Sequence, residues 1–108
     1  MKEIKAILQP SALDKVLRAL HGIKGLPGCT VSHVHGYQRS GAGSAEFILE
    51  HEDRAKLELV VKDSDAKKVV EAIMNNARTG GPGDGKIFVI ECVDIVSIRT
   101  GERGSAAV

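Results

Sequence analysis

What the chain has little of narrows the possibilities first. Only two cysteines, Cys29 and Cys92, occur in 108 residues, and no CxxC spacing is present. A reducing, cytoplasmic setting is expected from that usage. No apolar run approaches the length of a membrane span, and the opening Met1-Lys2-Glu3-Ile4 lacks the apolar stretch of a signal peptide. A soluble chain with no membrane insertion is expected. The formal net charge is only +1, with both signs mixed throughout and no basic cluster. Nucleic acid and anionic membrane surfaces are therefore not expected partners. Catalysis has little to stand on: no Ser, His and acid arrangement is suggested locally, and Glu50 and Glu52 lie in a polar stretch without an apolar pocket to tune them. No enzyme is expected.

What remains reads as one domain, residues 1–108, large enough to bury a core without metal or disulfide staples. Lys2–Gln9 alternates as a strand. Pro10 stops it, Ser11 can cap, and Leu13, Val16, Leu17 and Leu20 recur at helical spacing until Gly22. Cys29 to about Tyr37 is a second extended run, with Val31 and Val34 on opposite faces. From about 38 to 54 the pattern fails, and a long exposed, mobile loop is predicted there, part of which, Glu46–Glu50, is able to extend a strand. A loop of that length in a small domain favours a binding role. Leu57, Leu59 and Val61 alternate in a third strand that pairs antiparallel with the second. Asp63, Ser64 and Asp65 start a second helix that keeps its spacing to Ala77. Ile87–Val93 is a fourth strand, Val96–Arg99 a short edge strand, and the tail, about 100–108, has no packing pattern. The order βαββαβ predicts an α+β, ferredoxin-like antiparallel sheet with both helices on one face. Its other face, carrying Ile7 and Val60, is expected to be covered by copies of the same chain.

The helix-to-strand connection Ala77-Arg78-Thr79-Gly80-Gly81-Pro82-Gly83-Asp84-Gly85-Lys86-Ile87-Phe88 is the stretch with the most chemistry. Its glycines let the backbone approach a ligand, successive N–H groups can form a concave anion site, and Lys86 adds a charge suited to phosphate. It is not a Walker A loop, because the order of helix and strand is reversed and Ile87 follows the lysine. A long turn is the plainer reading. Cys29, His33 and His35 share one strand face, where two imidazoles and a thiol suit zinc or copper, and His51 adds another imidazole in the loop. Those positions carry strand spacing and match no ligand motif, so inner-face side chains are the simpler account. A metal-responsive trimer is the alternative they leave.

Thr79-Gly80 through Gly83-Asp84-Gly85-Lys86-Ile87-Phe88, with Ile98-Arg99-Thr100-Gly101-Glu102-Arg103-Gly104, resembles the B- and C-loops of the PII signal-transduction proteins. The opening Met1–Leu8 and the stretch from Thr30-Val31-Ser32 to Gly36-Tyr37 fit the same family. The resemblance implies a regulatory homotrimer that binds ATP, ADP or AMP in clefts between subunits and controls a partner protein, such as a membrane transporter or an enzyme, through its long loop. By position, Gly83, Asp84, Gly85 and Lys86 match the phosphate-contacting loop, and Arg99 the second arginine of an Arg-x-Arg pair. Thr30, Gly36, Arg39 and Val60 match the adjoining strands and the loop root. Ser97 stands where the pair's first arginine is found, which removes one phosphate-binding fork. Arg54 aligns with a lysine that meets 2-oxoglutarate. Ser40 replaces the glutamine that helps hold magnesium, so weak or absent 2-oxoglutarate binding is implied. No tyrosine lies between Gln38 and Arg54 to be uridylylated.

Overall fold

Ile4, Ala6 and Leu8 are buried while their neighbours along β1, Lys2–Leu8, are not, and this alternation fixes which side of the sheet receives the helices. The computed structural model describes the backbone of residues 1–40 and 48–108, and their side chains except at 38–40 and 48–50. β2 is Thr30–Ser40, β3 Ile48–Val61 and β4 Gly85–Glu91; α1 is Leu13–His21 and α2 Asp63–Ala77. All sheet pairings are antiparallel, in the order β2-β3-β1-β4. Ala6 pairs with Leu57 on one side and Ile87 on the other. The fold is ferredoxin-like α+β.

Ala55, Leu57, Leu59 and Val61 of β3 fall on the same side as Ile4, Ala6 and Leu8, where they meet Val16 and Leu20 of α1 and Val69 and Ile73 of α2. These residues form the core. Seven of them, Ile4, Leu8, Leu57, Ile73, Val16, Val61 and Val69, are fully enclosed. Burying each such side chain contributes on the order of 1.5–3 kcal/mol, which outweighs the weak helix propensity of the valines.

Neither helix begins as the sequence suggests. Pro10–Ala12 is a tight turn ahead of α1, and no side-chain hydrogen bond caps either helix; Ser11 is taken up in that turn. Asp63 accepts from the Met1 ammonium at 2.8 Å, drawn off the helix end by a stronger charge.

The largest difference lies at the predicted loop. β2 and β3 stay in register out to Ser40 and Ile48, so Gln38–Ser40 and Ile48–Arg54 are strand, and the ribbon runs well past the sheet. Residues 51–54 of its outer part contribute no side chain to the apolar core, so the stretch shows no apolar alternation, and the cross-strand pairing carries it. The segment between its ends, 41–47, lies outside the described residues. After β4, Val96 pairs only with Arg103, closing a turn in which Ser97 N–H donates to the Glu102 carbonyl at 2.9 Å. Val96–Arg99 is therefore no edge strand of the sheet. The tail is ordered as a short helical turn at Gly104–Ala107.

Candidate functional site

On the side of the sheet away from the helices, the end of β1 and the start of β4 meet the middle of β2 and β3. A cavity of about 430 Å³ there is lined by Ile7, Gly36, Tyr37, Arg54, Pro82, Gly83, Gly85, Lys86 and Phe88. It gathers four of the nucleotide candidates, Gly36, Gly83, Gly85 and Lys86, from two distant stretches of sequence. Lys86 reaches its position because it stands opposite Ile7 across β1, with its side chain exposed.

Beneath these residues lies Arg54, the one charged side chain buried among the described residues, at 6% exposure. Its guanidinium donates to the Asp53 carbonyl at 2.9 Å and pairs with the Glu52 carboxylate. That pairing is what makes burial of the charge tolerable. A β-carbon at Gly83 would lie 3.6 Å from Arg54 Nη2, so the glycine loop and the arginine are neighbours. Gln9 fixes the loop from the other side, donating from Nε2 to the Gly83 carbonyl at 2.8 Å.

Asp84 is turned inward on the loop itself. Its carboxylate accepts from the Thr79 N–H at 2.8 Å, from the Gly80 N–H at 2.9 Å and from the Thr79 hydroxyl. The Thr79 hydroxyl, then these amides, hold its carboxyl below the usual aspartate range. The expected cradle is thus already filled in part by the chain's own anion: Thr79 and Gly80 are committed, and Gly81 N–H donates to the Thr79 hydroxyl at 3.2 Å. For an incoming phosphate the loop offers its Gly83–Lys86 arm.

The other candidates are dispersed. Thr30 and Val60 lie farther along the open face, opposite Glu58 and Glu3. Arg99 is exposed in the turn after β4 and has no hydrogen bond or ion pair among the described residues. The Arg39 side chain lies outside the described residues. Arg103 does not substitute for the missing fork, since it is paired with Asp94 at 2.7 Å. Cys29, His33 and His35 are not brought together as a ligand set: Cys29 precedes β2 beside Leu26 and Pro27, and His33 is exposed opposite Ala55. His35 instead meets His51 and Asp53.

A family model described as Nitrogen regulatory protein P-II matches residues 1–102. The chain belongs to the P-II family. Nitrogen regulatory protein P-II of Rhodospirillum rubrum is 42% identical over 113 aligned positions, covering all of both chains. The Azospirillum brasilense protein of that name is 41% identical with the same coverage. Nitrogen regulatory protein P-II 1 of Methanothermobacter thermautotrophicus is 42% identical over all of this chain and 97% of its own length. Among solved structures, the GlnK–ATP complex of B. subtilis superposes with a TM-score of 0.88 at 34% identity, over 99% of this chain and 94% of that one. This P-II chain is accordingly a regulatory protein and not an enzyme. No helix among its described residues is long and apolar enough to cross a membrane.

Gln9 and the buried Arg54–Glu52 pair are the parts of this P-II site that sequence reading did not collect. Gln9 carries no motif, and Glu52 stands in a polar run that shows no strand alternation. A period-two reading of residues 50–56 puts Arg54 on the same face of the ribbon as Glu52, but only once the stretch is known to be strand.

Proposed function

We propose that this P-II protein binds adenine nucleotide with its phosphates against Gly83, Gly85 and Lys86, in clefts formed when three chains assemble through their open sheet faces. The observation that carries the reading is the cavity that joins Lys86 and the glycine loop to the root of the β2–β3 ribbon. Phosphate there sits close to Lys86 and Arg54, two cations that line the same cavity. Arg99, unpaired among the described residues, is placed to complete the cleft of a neighbouring subunit. The solved relative at 34% identity is described as an ATP complex, which supports the ligand class.

Signalling follows from differential affinity. A nucleotide that draws on Arg54 competes with Glu52, the residue paired with Gly36 across the ribbon, and so favours one ribbon arrangement over another. A protein partner, of transporter or enzyme type, would read that arrangement. Calorimetry with ATP, ADP and AMP on the purified chain tests the reading. Saturable binding of at least one of them is expected, and no heat or displacement with any of the three would overturn it.

A further inference from the structure

On the face of the ribbon that points the other way from the nucleotide cavity, three ligating side chains converge. His35 stands directly opposite Asp53 in the β2–β3 register, and His51 is the next residue along β3 on the same face. His35 Nε2 lies 3.9 Å and His51 Nε2 3.7 Å from Asp53 Oδ1, and one ligand atom from each of the three falls within 4.8 Å of the others. The two imidazole rings are 4.1 Å apart, and Tyr37 flanks His51 at 5.6 Å.

We propose that His35, His51 and Asp53 form a binding site for a borderline divalent transition-metal ion, zinc in the first instance. At 3.7 and 3.9 Å the carboxylate is too far from either imidazole for a good hydrogen bond. Those separations are close to what one ion demands: with metal–ligand bonds of about 2.0–2.2 Å, tetrahedral ligand atoms stand roughly 3.3–3.6 Å apart. Small side-chain rotations suffice to close the difference. Two nitrogens and one carboxylate oxygen suit zinc, nickel or copper; magnesium and calcium prefer oxygen ligands throughout. All three side chains are exposed, so an ion can enter and at least one position stays open to water or to a donor from another molecule.

Such an ion would tie β2 to β3 at the point where the ribbon leaves the sheet. Its effect would therefore be on the ribbon, the element proposed above to carry the signal, while its binding does not depend on nucleotide. Cys29 and His33 are outside the site, and this gives a sharp control.

The test is calorimetry of the untagged full chain with zinc chloride, then nickel, without nucleotide. One zinc per chain is expected, weakened roughly tenfold or more by His35→Ala and by His51→Ala, since even a lost outer partner of a metal ligand costs about 10–100-fold. His33→Ala and Cys29→Ser should bind as the parent does, and magnesium should not compete. Because every substituted side chain is exposed, a matching circular dichroism spectrum can confirm folding for each variant. Absence of zinc binding by the parent, or loss on His33→Ala or Cys29→Ser with His51→Ala unaffected, would overturn the proposal.

Discussion

Gly85 passes so close to Ile7 that no side chain fits between them. A β-carbon at Gly85 would stand 2.9 Å from the Ile7 carbonyl carbon, nearer still to its oxygen, and φ there is +102°. Both neighbours are backbone within the β1–β4 pairing, so nothing flexible can give way. Gly85→Ala is expected to cost several kcal/mol, from the clash together with the disfavoured φ. Chemical denaturation should show it; a loss below about 0.5 kcal/mol would mean that the strand start can shift.

Lys86 tests the nucleotide site without touching the core. Lys86→Ala should weaken adenine nucleotide binding roughly tenfold to a hundredfold, the range for one charge-assisted hydrogen bond of about 1.5–3 kcal/mol. The midpoint of unfolding should hardly move, because the side chain is exposed. An unchanged dissociation constant would remove Lys86 from the site.

Asp84 should give the glycine loop an acid limit. Its carboxyl is held below the ordinary value of 3.8, so the folded loop favours the ionised form. The stabilisation is present in full above the unfolded-state value and is lost as pH falls through the lowered one. Nuclear magnetic resonance titration should find the Thr79 and Gly80 amide signals moving below pH 3.8. Asp84→Asn should lack that transition and show faster exchange of both amides; a midpoint at the ordinary value would contradict the hydrogen-bond network.

The proposed assembly rests on apolar groups that one chain leaves uncovered. Phe88 and Ile90 are 43% and 39% exposed on the open sheet face. Light scattering is expected to return the mass of three chains, and Phe88→Glu, which puts a charge in the proposed contact, that of one. A monomer mass for the parent at micromolar concentration would refute the trimer.

How far the sequence could be read depended on what each stretch packs against. The alternation of Ile4, Ala6 and Leu8 and of Leu57, Leu59 and Val61, with the helical spacing of Val16, Leu20, Val69 and Ile73, announces the core because all are driven to one face. Residues 51–54 add nothing to the apolar core, so the polar run Glu50–Arg54 hid a strand that the register with β2 defines. Val96–Arg99 has strand-forming residues but folds back on Arg103, a closure that only the intervening turn decides. In the glycine loop, Lys86 was legible as a charge at a strand entry. Asp84 was not legible as a staple, since the same acid could as well have faced a ligand. His35 was visible on a strand face, but its partners His51 and Asp53 required the register of a ribbon that composition disguised.

β4 lies at the margin of the sheet, and one of its backbone edges has no neighbour among the described residues. Ile87-Phe88-Val89-Ile90 on that edge combines high strand propensity with no charge and no proline, the composition that stacks most readily into cross-β fibrils. A subunit contact over this strand would therefore also shield it from its own copies in the wrong register. Dilution or a charge that separates the chains should then expose not a quiet monomer but one prone to bind amyloid dyes on standing, and an added lysine on the outer edge of β4 should suppress that tendency.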